Sequence, residues 1–278
     1  MGGSLSAWLA LREPADVAAR SSALTNAIVK VLPHGRPLRI LDLGSGTGSN
    51  VRYLSSRLPG VQEWLLVDHD PELLSEASCS TATCRIETLS RNLATLDDQE
   101  IFSGRDLVTA SALLDLVSPQ WLNTLATRCR TSGAAVLFAL TYNGQSRCSP
   151  VEPEDEIVRD LMNRHQKRDK GLGGPAAGPE GVACAERSFV AAGYHVRREP
   201  SDWILSPDQR ELQRQLIEGW AHAATEIAPE ESPLIGAWLA RRLALVDAGS
   251  STVIVGHEDL AAWKKGTGVV FETAITER

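Results

Sequence analysis

Apolar positions over the first part of the chain recur at helical spacing. Leu9, Leu11, Val17, Leu24, Ile28, Val29 and Val31 predict one helix over 5–32, and Pro33 with Gly35 ends it. The pattern then shortens. Leu38 to Leu43 is an apolar run broken only by Arg39 and Asp42, which predicts a strand; it stops at glycines, and helical spacing resumes from Asn50 to Leu58. The next unit repeats that form, with a strand at Trp64–Val67, a turn at Asp68-His69-Asp70-Pro71, and a helix over Pro71–Ala77 with proline in its first turn. Further strands are predicted at Cys84–Thr88 and Asp106–Ala110, then a helix through Trp121–Arg128. A fifth strand, Ala134–Leu140, is apolar throughout, as a strand covered on both faces should be.

Strands alternating with helices imply a doubly wound, mostly parallel α/β sheet, with ligands at the carboxyl ends of the strands. The pattern breaks after Leu140. Residues 141–181 are rich in glycine, proline and charge and are expected to form a lid or acceptor loop. Later elements are a helix at Ala183–Ala192, a strand at Tyr194–Arg198, helices at about 207–228 and 232–247, and a strand at Ser251–Val255. The late strands can close the sheet as an antiparallel pair, with the two helices inserted between the last strands as a cap. One domain over 1–278 is expected: an N-terminal helical segment (5–33), a core (38–140), the 141–181 loop and a C-terminal half (182–278).

The chemistry concentrates where the first strand ends. In Leu41-Asp42-Leu43-Gly44-Ser45-Gly46-Thr47-Gly48 the glycines let the backbone turn sharply and approach a ligand closely. The spacing is Gly-x-Gly-x-Gly. A dinucleotide fingerprint needs its third glycine one position later, where Ser49 stands, and no Gly-Lys-Ser/Thr follows to make a phosphate loop. Asp68 ends the second strand about twenty residues on, the position from which a carboxylate binds ribose hydroxyls. Asp70, just before Pro71, is the better helix cap.

Composition narrows the partners. Hydrophobic residues make up 43% of 278 positions, enough for a sizeable core, and the net charge of −7 argues against a phosphate-backbone partner. No apolar run approaches the roughly 18 residues of a membrane span. Met1 to Leu11 is too short, and turns charged too soon, for a secretory signal, while Met1-Gly2 with Ser6 matches a loose acylation pattern. The five cysteines, Cys79, Cys84, Cys129, Cys148 and Cys184, are expected to be reduced thiols of a cytoplasmic protein, with no metal site. The oligomeric state stays open.

Residues 38–140 resemble the class I S-adenosylmethionine (SAM)-dependent methyltransferases. The resemblance rests on Ile40–Gly48, on Val67-Asp68-His69-Asp70-Pro71-Glu72-Leu73-Leu74, and more weakly on Asp106–Asp115. It implies a Rossmann-like sheet of seven strands, the last antiparallel and inserted beside the sixth, and one bound SAM. It also implies that Gly44, Ser45 and Gly46 form the cofactor loop, with Asp42 supporting it. Asp68 would bind the ribose, and His69 would flank the adenine. Asn92 and Leu93 would stand near the adenine amino group, Asn92 where the family often has a carboxylate, and Ser111 would line the methyl-transfer mouth.

The expected activity is methyl transfer to a small-molecule acceptor. The alternatives are a catalytically inactive SAM-binding module and, from the same fold class, an NAD(P)-dependent oxidoreductase. In the polar run Asn163–Gly171, His165 and Asp169 are candidates for a base or an orienting group, and Tyr142, just past strand five, is placed to face the mouth. Arg12, Asp16 and Arg20 share a helix face, where a cation could meet the SAM carboxylate or the three could form a salt-bridge ladder. Trp203, Trp220 and Trp238 are expected mostly in the core.

Overall fold

The computed structural model describes residues 4–79 and 81–264. Met1 and Gly2 of the acylation pattern, and the end of the C-terminal half from 265 to 278, lie outside the described residues.

The N-terminal segment is two helices, α1 (Leu5–Ala19) and α2 (Ser22–Val31), where the apolar spacing predicted one. Arg20 is extended at the break, and the Ser21 hydroxyl caps α2 by accepting from Leu24 N at 3.2 Å. The backbone N–H of Ser21 donates to the buried carboxylate of Asp259 at 2.8 Å. Both helices bury apolar faces, so the periodicity runs through a break that a cap and a distant carboxylate impose.

The alternating units follow: β1 (Leu38–Leu43), α3 (Ser49–Leu54), β2 (Gln62–Asp68), α4 (Pro71–Ser75), β3 (Cys84–Ser90), β4 (Leu107–Ser111), α5 (Pro119–Ser132) and β5 (Ala135–Ser149). Beyond them come α6 (Asp155–Gln166), α7 (Gly181–Ala191), β6 (Tyr194–Pro200), β7 (Trp203–Leu205), α8 (Arg210–Ile227), α9 (Ser232–Asp247) and β8 (Thr252–Lys264). The sheet order is β3-β2-β1-β4-β5-β8-β6, with β7 also pairing with β8. β1 to β5 are parallel, and β8 runs antiparallel between β5 and β6. This is the doubly wound Rossmann-like arrangement expected, with the three-residue β7 added to the seven strands.

Strand residues alternate between two covered faces. Ile40, Leu66, Leu107 and Leu137 pack against α2 and α3, while Leu41, Val67, Val108 and Phe138 pack against α5 and α7. A third apolar cluster lies past the carboxyl edge of the sheet. There the outer halves of β5 and β8, with β7, form an antiparallel platform that carries α1, α6, α8 and α9. Trp203, Trp220 and Trp238 are all buried in this cluster.

The stretch 141–181 is therefore not one long loop. Residues up to Ser149 continue β5, and 155–166 are helical. The pairing register shifts between Phe138 and Thr141 and again between Tyr142 and Ser146, and at the first shift Leu140 takes a φ of 56°. The Leu140 N–H, diverted from the ladder, donates to Asp259 at 2.8 Å. Besides the short turn at 150–154, the segment between α6 and the turn at Gly178 is loop, and it is tied down. Ser118 N donates to Leu172 O at 3.1 Å, Ala177 N to Val117 O at 2.8 Å, and Asp169 forms a bridge with Pro175.

The cysteines also differ from expectation. Cys79 and Cys84 are joined in a disulfide, whereas Cys129, Cys148 and Cys184 are free. The turn between α4 and β3 brings together two residues whose spacing carries no pairing signature. The thiol argument for a reducing compartment loses its basis at this pair. No helix among the described residues is long and apolar enough to cross a membrane.

Candidate functional site

A cavity of about 540 Å³ opens at the carboxyl ends of β1, β2 and β4. Its wall includes Asp42, Gly44, Ser45, Gly46, Asp68, His69, Asn92, Leu93 and Ser111. The fold thus gathers into one cavity all nine residues expected around a cofactor, although they come from four separate strand ends.

The loop after β1 is shaped from within. Gly44, Gly46 and Gly48 all hold positive φ, which an L side chain adopts only with strain. A Cβ on Gly46 would also stand 3.1 Å from Leu9 Cδ1, because α1 lies across the loop. The loop's N–H groups point into the protein. Gly44 N and Ser45 N donate to Val67 O, Gly48 N donates to Ser45 O, and Gly46 N donates to Asp68 Oδ2 at 2.8 Å. A phosphate cradle needs such N–H groups free.

Two carboxylates face this loop. Asp68 holds Gly46 N on one oxygen and Asp70 N on the other, at 3.1 Å, with the exposed His69 ring 3.0 Å away. A carboxylate oxygen accepts about two hydrogen bonds, so Oδ2 keeps capacity. Asp70 is the α4 cap, accepting from Glu72 N and Leu73 N. Asp42 is fully buried. Its Oδ1 accepts from Asn50 Nδ2 at 2.8 Å, and the same amide reaches Thr109 Oγ1, so Asp42 braces the start of α3 against β4. Its Oδ2 has no partner among the described residues, and burial pushes its pKa up to about 7.

Past β3, the Asn92 side-chain carbonyl accepts from Ala94 N at 2.7 Å, an Asx turn that leaves the side-chain NH₂ as a donor. Leu93 and Leu172 belong to the same apolar cluster and line the cavity together. Ala112, next to Ser111, holds a φ of 51°; non-glycine residues carry such strain mainly at functional sites.

The three candidate catalytic residues do not line this cavity. Tyr142 is buried, its hydroxyl donates to Asn163 Oδ1 at 2.9 Å, and burial pushes its pKa up beyond the useful range of a base. His165 ends α6, with Nε2 3.2 Å from Glu226 of α8. Asp169 is exposed and accepts from Gly171 N at 2.7 Å. Helix α6 turns His165 toward α8, and the Asx turn consumes Asp169, and neither effect shows in a count of polar residues.

The salt-bridge reading of the α1 face holds for two of its three residues. Arg12 binds Asp16 at 3.0 and 3.2 Å, and both line the cavity. Trp203 Nε1 also donates to Asp16, and the Arg12 guanidinium lies 5.1 Å from the Trp203 ring. Arg20 is buried under the site instead, over the Tyr53 ring at 4.1 Å.

Position in the sequence also passed over Lys170, which lines the cavity, and two buried groups near its rim. Asp115, after β4, has an unpartnered Oδ1, and burial raises its pKa to about 6. His257 of β8 has an unpartnered Nδ1 beside the Trp203 and Tyr142 rings, and burial lowers its pKa to about 3, so it is neutral. Lys170 sits inside the polar run already singled out, and Asp115 ends the third quoted segment. Only the neighbours that the fold supplies distinguish them.

No protein-family model and no curated protein matches the chain. Among solved structures, the cyclopropane synthase MmaA2 from Mycobacterium tuberculosis is similar at 11% identity and a TM-score of 0.46, over 86% of this chain and 82% of that one. Haemonchus contortus phosphoethanolamine N-methyltransferase 2, solved with phosphomonomethylethanolamine and S-adenosylhomocysteine, is similar at 16% and 0.45, over 95% and 59%. A SAM-dependent methyltransferase from Geobacter sulfurreducens, solved with S-adenosyl-L-homocysteine, is similar at 13% and 0.44, over 88% and 92%. By its own strand order, with β8 antiparallel between β5 and β6, the chain has the fold of the class I methyltransferases.

Proposed function

We propose that the chain is a SAM-dependent methyltransferase acting on a small-molecule acceptor. The observation that carries this reading is the glycine loop itself. Four of its N–H groups are spent inside the protein, and the carboxylates of Asp42 and Asp68 face it. Such a site repels a pyrophosphate and suits a ligand with a ribose and a cationic amino-acid tail. That disfavours the NAD(P) reading. The unpartnered Oδ2 of Asp42 tests the fit directly, because a buried carboxylate oxygen is stabilised by a cationic donor.

In this reading Asp68 holds the ribose hydroxyls, and Asp42 offers Oδ2 to the ammonium of the methionine tail. Leu93 and Leu172 enclose the adenine, with the Asn92 amide at its edge. SAM supplies a methyl group on a sulfonium that already carries the driving force. The work of the chain is then to orient the acceptor and exclude water, an alignment worth several kcal/mol. The apolar wall of Leu5, Trp8, Leu9, Leu113 and Leu116 serves that exclusion. The tied segment around Leu172 would act as the cover over the mouth, the part of the expected lid that remains.

Titration calorimetry with SAM, S-adenosylhomocysteine and NAD tests the reading. Binding of both SAM compounds and not of NAD is expected; binding of NAD alone would overturn it. Formation of S-adenosylhomocysteine in the presence of small acceptors separates an enzyme from an inactive SAM-binding module.

A further inference from the structure

Two cationic side chains line the cavity, Arg12 and Lys170, and they stand in different electrostatic states. Arg12 is neutralised by its two-point contact with Asp16. It sits one helical turn from Leu9, the residue that stands over Gly46. Lys170 has no carboxylate within ion-pairing distance among the described residues. Its Nζ lies 3.3 Å from His165 Nδ1, and its nearest electrostatic neighbours are Arg168, Glu226 and Asp115. Asp115 follows β4, so Lys170 stands on the side of the cavity where the chain leaves that strand.

Lys170 is also held in place. Asp169 caps Gly171 N at 2.7 Å, Leu172 O accepts from Ser118 N, and the Asp169–Pro175 bridge closes the turn. His165, whose pKa is lowered mainly by burial and then by Lys170, has Nδ1 3.3 Å from the ammonium and Nε2 3.2 Å from Glu226. The fold therefore orders a half-buried ammonium in the cavity wall with no carboxylate paired to it among the described residues, Glu226 and Asp115 acting only from a distance. Burial already penalises that charge, and a bound anion would relieve the penalty.

We infer that Lys170 binds an anionic group, a carboxylate or a phosphate, on the methyl acceptor. The inference rests on the methyltransferase reading of the cavity and narrows its substrate class. Benzoate and phenyl phosphate serve as anionic probes of a size and apolarity that suit the wall, and benzamide serves as their neutral counterpart. Their affinities are measured by calorimetry with and without S-adenosylhomocysteine, for the wild type, Lys170→Met, Lys170→Gln and Lys170→Arg.

The expected result is a preference of about tenfold for an anion over benzamide, the scale of one charge-assisted hydrogen bond at a partly buried site. It should vanish in both neutral variants and persist in Lys170→Arg, with S-adenosylhomocysteine affinity unchanged in all. No preference in the wild type, or one that survives Lys170→Met and Lys170→Gln, overturns the inference. A loss of S-adenosylhomocysteine affinity in Lys170→Met also overturns it, because the lysine would then serve the cofactor. Failure of the wild type to bind S-adenosylhomocysteine sinks the parent reading instead, and the anion preference is then judged on the cofactor-free protein by the same variants.

Discussion

The glycine-loop half and the antiparallel half of the sheet solve different problems. Around β1, β2 and β4 the chain folds by short local units, and their strand ends and following turns meet at the cavity. Around β5, β7 and β8 every important contact is distant in sequence. Asp259 holds the N–H groups of Leu140 and Ser21 at once. Asp155 at the start of α6 accepts from Trp238 Nε1 at 2.8 Å and pairs with Arg242, a fully buried arginine that also reaches Pro150 O. The first half holds the candidate site on its strand ends. The second builds the platform that carries α1, α6, α8 and α9, from elements that no local pattern ties together.

If the two halves are separable in this way, a break in the platform should cost stability without touching the cofactor site. Arg242→Ala leaves Asp155 without its main charge partner in a largely buried setting, which should cost about 3–5 kcal/mol in chemical denaturation. Where the variant still folds, SAM affinity should stay within twofold or so of wild type. A large parallel loss of SAM binding would show that the halves are one energetic unit.

The converse change is Asp68→Ala. It should weaken SAM binding by roughly 1.5–3 kcal/mol in calorimetry, the scale of a hydrogen bond to a charged group, while the platform melts normally. Unchanged affinity would mean that the ribose assignment is wrong.

A smaller effect is confined to pH. Asp42 has its pKa raised from 3.8 in the unfolded chain to about 7 in the fold, because burial disfavours its charged form. A raised carboxyl pKa contributes stability that is fully present below the unfolded value, is lost as pH rises toward the folded value, and does not change further above it. Between about pH 4 and 7 the cofactor-free protein should therefore lose stability through this group. Asp42→Asn, which can keep the Asn50 hydrogen bond, should flatten that slope. A slope identical to wild type would exclude Asp42 as its source. The smallest effect is expected for Tyr142→Phe. The hydroxyl donates to Asn163, so its loss should cost about 1 kcal/mol of stability and leave methyl transfer running. Abolished turnover with normal SAM binding would restore Tyr142 as a catalytic residue.

The legible parts of the sequence follow this division. Gly44, Gly46, Asp68 and the alternating strands could be read because each depends on residues within a few positions: a φ that glycine permits, a period of two, a carboxylate at a strand end. Leu93 and Ser111 followed from the same units by resemblance. The boundary between α1 and α2 was hidden because the break is set by Ser21 and Asp259, which are far apart in the chain. The disulfide between Cys79 and Cys84 was hidden because their spacing matches no pairing signature. In the 163–171 run, residue type alone favoured His165 and Asp169. The end of α6 and an Asx turn occupy both, and leave Lys170 facing the cavity.

By itself, then, the sequence determined the doubly wound sheet, the glycine loop and the carboxylate beside it. Hydrophobic period and backbone permission are local properties, and they survive being read one segment at a time. Only the tertiary structure decided which polar groups are free to act. Burial, pairing and charge compensation are sums over neighbours from α1, β4, α6, α8 and β8, and no stretch of chain contains those neighbours together.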